Sequence, residues 1–263
     1  MKFFSEDFIR KNVDTVDWDV VSMQKLSQDF IREFSNKVNW KKISKYQQLD
    51  DLFLEEFQNN INWKLVSYNQ CLSEQFIRKF INKINITGIT IKQKLSHEFL
   101  EEFKYLLNWD TVAVFQKLSD ESLQNFGHIL NWNLVTKYQT ICEQILRQNK
   151  HRISDKGWSN VSKYQILSIP FIMEFCDKLC WNKLCIYHKL NEDVIRECFN
   201  KVNWTYISKN QVLSEKFIRE FRKYVDWRWI FSKQKLSNEF IKEFNNMYKI
   251  DTYDNPSKKP KIE

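Results

Sequence analysis

The one concentration of metal-competent residues lies between Cys176 and Cys198, where Cys176, Cys180, Cys185, His188 and Cys198 fall within 23 residues. Thiolates and an imidazole are the donors of tetrahedral zinc sites. Their spacing matches no common zinc pattern, and the alternative is a set of small apolar thiols buried in a core. We expect the second, with no bound metal. Other chemistry is sparser still. There is no Gly-rich phosphate loop and no nucleophile elbow, and the four histidines (His97, His128, His151, His188) are scattered without an i, i+4 partner. Acidic pairs such as Glu55 with Glu56 and Glu101 with Glu102 are sequence neighbours, which a helix points in different directions. The expectation is therefore no enzyme and no cofactor.

A different pattern carries recognition chemistry. Lysine followed by an aromatic residue recurs just before a glutamine: Lys45-Tyr46, Lys137-Tyr138 and Lys163-Tyr164, with Phe115, Tyr187 and Lys209 continuing the same slots in part. Ammonium groups beside aromatic rings suit an acidic peptide, or a single-stranded nucleic acid through phosphate contacts and stacking. The plainer reading is that each ring packs between neighbouring units while the lysine is solvated.

What must position these residues is a repeat. The slot occupied by Trp18 recurs at Trp40, Trp63, Ile86, Trp109, Trp132, Trp158, Trp181, Trp204 and Trp227, with steps of 22 or 23 residues and a single one of 26. Near-constant spacing of this length marks a solenoid, in which each unit buries its apolar face against the next. Each unit reads as two short helices. Helix A, preceded by Asn203 in the unit that begins there, places the Trp, an apolar residue three further on and a Gln seven further on along one face. Helix B starts at Ser27, Asp50, Ser73, Ser96, Ser119, Ser168, Asn191, Ser214 or Ser237, all good N-caps, with Cys142 the exception. Its stripe is illustrated by Phe217, Ile218, Phe221 and Val225. The spacing is helical rather than the alternation of a leucine-rich repeat, so the fold class is all-α, an α-solenoid of about ten 23-residue helix-turn-helix repeats. Within it Cys185, His188 and Cys198 occupy the Ser, Gln and core Phe slots, each a single substitution.

Three further expectations follow. The Gln row (Gln24, Gln47, Gln70, Gln93, Gln116, Gln139, Gln165, Gln211, Gln234, with His188 in the gap) faces inward, so its amides must bond the carbonyls and N–H groups at the end of helix A. Glu and Arg four apart on helix B, as in Glu74 with Arg78 and Glu215 with Arg219, read as a solvated, self-paired face. Helix A looks the shorter of the two, which would place the A row on the concave side of an elongated, curved body.

The wording of the unit, LSEKFIREF followed by NW, then IS and Q, resembles a short-repeat family in proteins of amoeba-infecting, mimivirus-like giant viruses. The resemblance runs from about Phe4 to Ile250, and the AT-rich bias in composition agrees with it; Ile86 and Asn149 depart from the pattern. It implies the architecture and a viral origin, with no assigned activity.

Residues 1–153 read as the N-terminal part of the array, opened by a capping helix within 1–16, and 154–250 as the C-terminal part after a hinge. Here Asn149 replaces the core Phe and Ser154-Asp155-Lys156 lengthen a connection. The polar stretch 251–263 reads as a disordered tail whose SKKPK would allow a nuclear address. Most of the formal net charge of +8 falls after the break. No segment has the length of a membrane span, no signal peptide is evident, and the unevenly spaced cysteines read as reduced thiols, so we expect an intracellular protein. The function expected is a binding scaffold for a protein or peptide, using the A face at Lys45, Tyr46, Phe115, Lys137, Tyr138, Lys163, Tyr164, Tyr187 and Lys209. The alternative is a nucleic-acid-binding groove on the same residues.

Overall fold

A computed structural model describes residues 4–248, the last four by backbone alone; the tail 251–263 and its SKKPK lie outside the described residues. These form 21 α-helices, and among them there is no strand. The contacts divide the chain into two compact units, Met1–Asn131 and Trp132–Glu263.

In the first unit α1 (Glu6–Lys11) precedes α2 (Trp18–Val21), α3 (Gln28–Glu33), α4 (Trp40–Tyr46), α5 (Asp51–Glu56), α6 (Trp63–Asn69), α7 (Glu74–Lys79), α8 (Ile86–Lys92), α9 (His97–Glu102), α10 (Trp109–Phe115) and α11 (Asp120–Asn125). The second contains α12 (Trp132–Tyr138), α13 (Glu143–Gln148), α14 (Asp155–Tyr164), α15 (Ile169–Glu174), α16 (Trp181–Tyr187), α17 (Glu192–Glu197), α18 (Trp204–Asn210), α19 (Glu215–Glu220), α20 (Trp227–Lys233) and α21 (Asn238–Tyr248). From α2 onward, even numbers are A helices and odd numbers B helices. The architecture is that of a helical repeat solenoid.

Helices this short are marginal alone and need specified ends and neighbours. Both are present. Ser73 accepts from Phe76 N–H at 3.1 Å to start α7, and Asn62 accepts from Leu65 N–H at 3.0 Å to start α6. Cys142 and Cys180 make no side-chain cap bond. Between the two helices the Trp lies against the two B-helix phenylalanines, as with Trp40, Phe53 and Phe57, where Trp40 and Phe57 centroids are 4.7 Å apart. Its indole N–H is satisfied five residues back, for example Trp63 Nε1 donating to Gln58 O at 3.0 Å.

Typical A helices have seven residues and B helices six, the reverse of the sequence expectation. The B run stops at the core Phe, whose backbone leaves the helical region (φ −114°, ψ 25° at Phe80). Within each unit the backbones that approach closely are those of successive A helices: α4 with α6, α6 with α8 and α8 with α10, then α12, α14, α16, α18 and α20 in turn. Small residues permit this. Ser44 donates to Trp40 O at 2.7 Å and accepts from Asn62 N–H at 2.9 Å in the next repeat. At Gly88 a Cβ would lie 2.8 Å from a Tyr68 ring carbon and 3.1 Å from the Ser67 carbonyl carbon, so a hydrogen is all that fits.

Successive B helices are joined by side chains instead. Arg78 bonds Glu102 of the following repeat at 2.7 Å and covers the Phe99 ring at 5.3 Å, while its i, i+4 partner Glu74 is 3.4 Å away. Arg147 with Glu174 and Phe171, and Arg219 with Glu243 and Phe240, repeat the arrangement. Glu74 in turn accepts from Ser96 N–H at 2.6 Å. The B face is thus clipped from unit to unit and not merely self-paired; Lys37 and Lys201 likewise turn to Asp14 and Asp177 of the preceding repeat.

The irregular stretch before Trp158 is absorbed in a helix. Ser154 caps α14, a ten-residue A helix, and Asp155, Lys156 and Gly157 form its extra first turn. Ser154 Oγ bonds Asn133 Oδ1 at 2.6 Å and Asn160 Nδ2 donates to Asn133 O at 2.9 Å. The added residues therefore tie α14 to α12 and do not lengthen a loop. Carried one turn inward, Trp158 is 2% exposed and its indole N–H is left without an acceptor.

Candidate functional site

The Gln row is structural. Gln70 Nε2 donates to Ser44 O at 3.1 Å and Gln47 O at 2.8 Å, closing the carbonyl end of α4, and its Oε1 accepts from Leu49 N–H at 3.0 Å. Gln211 repeats this on Cys185 O and His188 O at 2.8 Å each and Leu190 N–H at 2.9 Å. The carbonyls that end a helix and the N–H of the following turn are thus paired by the next repeat. His188 makes one such bond, Nε2 to Ser162 O at 3.0 Å, and since a carbonyl only accepts, that nitrogen carries the proton.

The cysteine region does not converge. Cys185 within α16 and Cys198 at the C-cap of α17 are buried, Cys176 and Cys180 are half-buried, and among the described residues no group of three His, Cys, Asp or Glu could hold a metal ion. Burial pushes the Cys185 thiol pKa up, against the lowering effect of the Asn203 N–H, so it stands in for the serine hydroxyl of other repeats. One juxtaposition was not anticipated. His97 Nδ1 lies 2.9 Å from Ser122 Oγ, with its ring 5.3 Å from Phe126. Ser122 occupies a core Phe slot, is 3% exposed, and the imidazole fills the space the missing ring leaves; a hydroxyl so enclosed is closed to a substrate.

The lysine and aromatic residues do come together, in the second unit. Tyr138, Tyr164 and Tyr187, at the C-terminal ends of α12, α14 and α16, are 47%, 45% and 53% exposed. Lys137 lies 4.7 Å from the Tyr138 ring, and Lys163 is shared between Tyr164 at 4.9 Å and Tyr187 at 5.2 Å. Lys209 lies 4.3 Å from the ring of Trp229, an aromatic partner that sequence reasoning missed because it occupies a different helical slot. In the first unit Lys45 and Tyr46 form the same pair at 4.9 Å, and Phe115 is exposed without a lysine in its own pair slot.

Charge is segregated between the two rows. In α12, α14, α16, α18 and α20 the one carboxylate is Asp155, in the added turn; the other acidic residues of these repeats lie on B helices, in the turns after them or at the Asp226 cap. The A row carries Lys137, Lys163, Lys183 and Lys209 with no anionic partner on it. The consequence is visible at Tyr164. Its phenol titrates below the ordinary value near 10.0, first through a hydrogen bond from Lys163 and then through the charges of Lys163, Lys137 and Lys183, with burial opposing. Replacing Lys163 by Met is expected to move the Tyr164 midpoint upward in an NMR titration of its ring signals, with Tyr224 on the B side unmoved. An unchanged Tyr164 midpoint would mean the ammonium is solvated away from the ring.

No family model matches this chain, and no curated protein or solved structure matches it.

Proposed function

We propose that the protein is a non-enzymatic binding scaffold that engages an extended, anionic partner through the A-helix face of its second unit. The observation that carries this is the Lys137, Tyr138, Lys163, Tyr164 and Tyr187 array on a row of helices whose one carboxylate, Asp155, lies in the added first turn of α14, at the opposite end of the helix from Lys163 and Tyr164. Polar rim charges steer encounter, and exposed aromatic rings supply contact area at low entropic cost. Among protein partners, an acidic segment in extended conformation fits. A second reading, a nucleic acid, is favoured by the register of one tyrosine per repeat in α12, α14 and α16. None of the described helices is long and apolar enough to cross a bilayer.

The test separates this face from the overall positive charge. Lys137→Gln, Lys163→Gln and Lys209→Gln combined should elute from a heparin column at clearly lower salt than the parent. Lys178→Gln, Lys216→Gln and Lys223→Gln, which remove equal charge from the B side, should elute close to the parent. Equal shifts in both triple variants would refute the assignment to the A face.

A further inference from the structure

We infer that the partner is a single-stranded nucleic acid, held with one base on each of Tyr138, Tyr164 and Tyr187 and its phosphates on Lys137, Lys163 and Lys183. The inference rests on the A-face docking proposed above and goes further in naming what docks.

Stoichiometry argues for it first. Each of three successive A helices presents one half-exposed ring at the same helical position. The lysines interleave with the rings: Lys163 touches the rings of two successive repeats, and the charges of Lys137 and Lys183 reach Tyr164 from the helices on either side. A polymer that alternates one planar group with one negative charge matches this row. Single-stranded nucleic acid is such a polymer, and helical-repeat arrays can take one base per repeat.

The competing polyanions match less. In a duplex the base faces are already stacked on each other, which would leave three exposed tyrosine rings with no role while phosphates met lysines alone. A peptide of acidic residues supplies carboxylates for the lysines but no aromatic face to stack on the rings. Bases stack on aromatic faces with little regard to sequence, so the expected preference is for single strands in general. The C-terminal ends of these A helices, where the rings and Lys137 and Lys163 sit, carry no carboxylate that would repel backbone phosphates; Asp155 lies at the other end of α14.

Anisotropy titrations of the full chain decide the matter, using labelled oligouridylate, labelled oligothymidylate, a labelled DNA duplex and a labelled oligoglutamate peptide. We expect both single strands to bind, the uridylate and thymidylate arms separating RNA from DNA preference, and the duplex and peptide to bind at least about tenfold more weakly. Tyr138→Leu, Tyr164→Leu and Tyr187→Leu combined should weaken single-strand binding at least about tenfold, given what stacking contributes per base. The corresponding Phe triple variant should retain binding, and circular dichroism melting should show both variants folded. Each of Lys137→Gln and Lys163→Gln should lower the salt slope by about 0.7. A duplex bound as tightly as the single strands, or binding indifferent to the rings, would overturn the inference. Binding of oligoglutamate in place of the oligonucleotides would overturn it and leave the scaffold reading standing; binding of none of the four would overturn both.

Discussion

Gln70→Leu is expected to lower the unfolding free energy by about 3 to 5 kcal/mol, measured by urea denaturation, the largest effect of any single side chain outside the apolar core. Leucine keeps the apolar stem and removes three hydrogen bonds at once, to Ser44 O, Gln47 O and Leu49 N–H. Each orphaned buried group costs about 1 to 3 kcal/mol, against a total stability of about 5 to 15 kcal/mol for ordinary domains. Gln70→Glu is the sharper control, since it keeps size and acceptor but turns an anion toward two carbonyls. Its loss should equal or exceed that of leucine. Hydrogen exchange should locate the damage at Leu49 and at the junction of α4 with α6, because a solenoid transmits instability to nearest neighbours first. A loss below about 1 kcal/mol for Gln70→Leu would mean that water replaces the amide at no cost and that the row is not what joins the repeats.

The gap in that row gives the second expectation. His188 titrates below its ordinary value of 6.5, chiefly because burial disfavours the cation, with the bond to Ser162 O acting the other way. With a folded pKa below the unfolded one, the unfolded chain binds the proton first. Stability is then full above about pH 7 and falls as the pH drops through 6.5 toward the folded pKa. A single proton limits the slope to about 1.4 kcal/mol per pH unit. His188→Gln should abolish this component and, by restoring the missing bonds, add about 1 kcal/mol at neutral pH. The comparison is of the two proteins' stability profiles between pH 7 and 5, in which every other group is common to both. Parallel profiles would show that the imidazole is hydrated in the folded state.

Most of the fold was legible because the same physical solution is written many times over. Trp63, Val66, Gln70, Leu72 and Ser73 have counterparts in nearly every unit, so slot, period and cap could be read by comparison within one chain. The roles of Gln and Ser differ in this respect. That Gln must be satisfied followed from its inward slot, whereas the reach of Ser44 to Asn62 N–H depends on how closely two A helices approach, which spacing alone does not encode. The Glu and Arg pairs four apart were legible and are present, but the reach of the same arginines to the next repeat was not, for a similar reason. Arg78 and Glu74 are adjacent on any helical wheel, but Glu102 is nearer in space. The lysine and tyrosine residues were legible as a set, their sharing across repeats was not: the place of Lys163 between Tyr164 and Tyr187 is set by the packing of α14 on α16. Trp229 was missed because attention to one slot hides a partner that arrives from another.

The amide row has a consequence for how such a chain changes length. The junctions at Gln47 and Gln70 use the same donors and acceptors, so excising the segment from Trp40 to Asn62 would bring Gln70 to the carbonyls of Ser22 and Gln24, the groups Gln47 now holds. Duplication or loss of whole units by recombination between near-identical stretches leaves no unmatched polar group, whereas a cut at any other interval breaks the register. Repeat number is thereby freer to drift than repeat size, and the count of rings along the A row becomes a quantity that selection can adjust in steps of one; under the proposed function, the span of ligand covered would change with it.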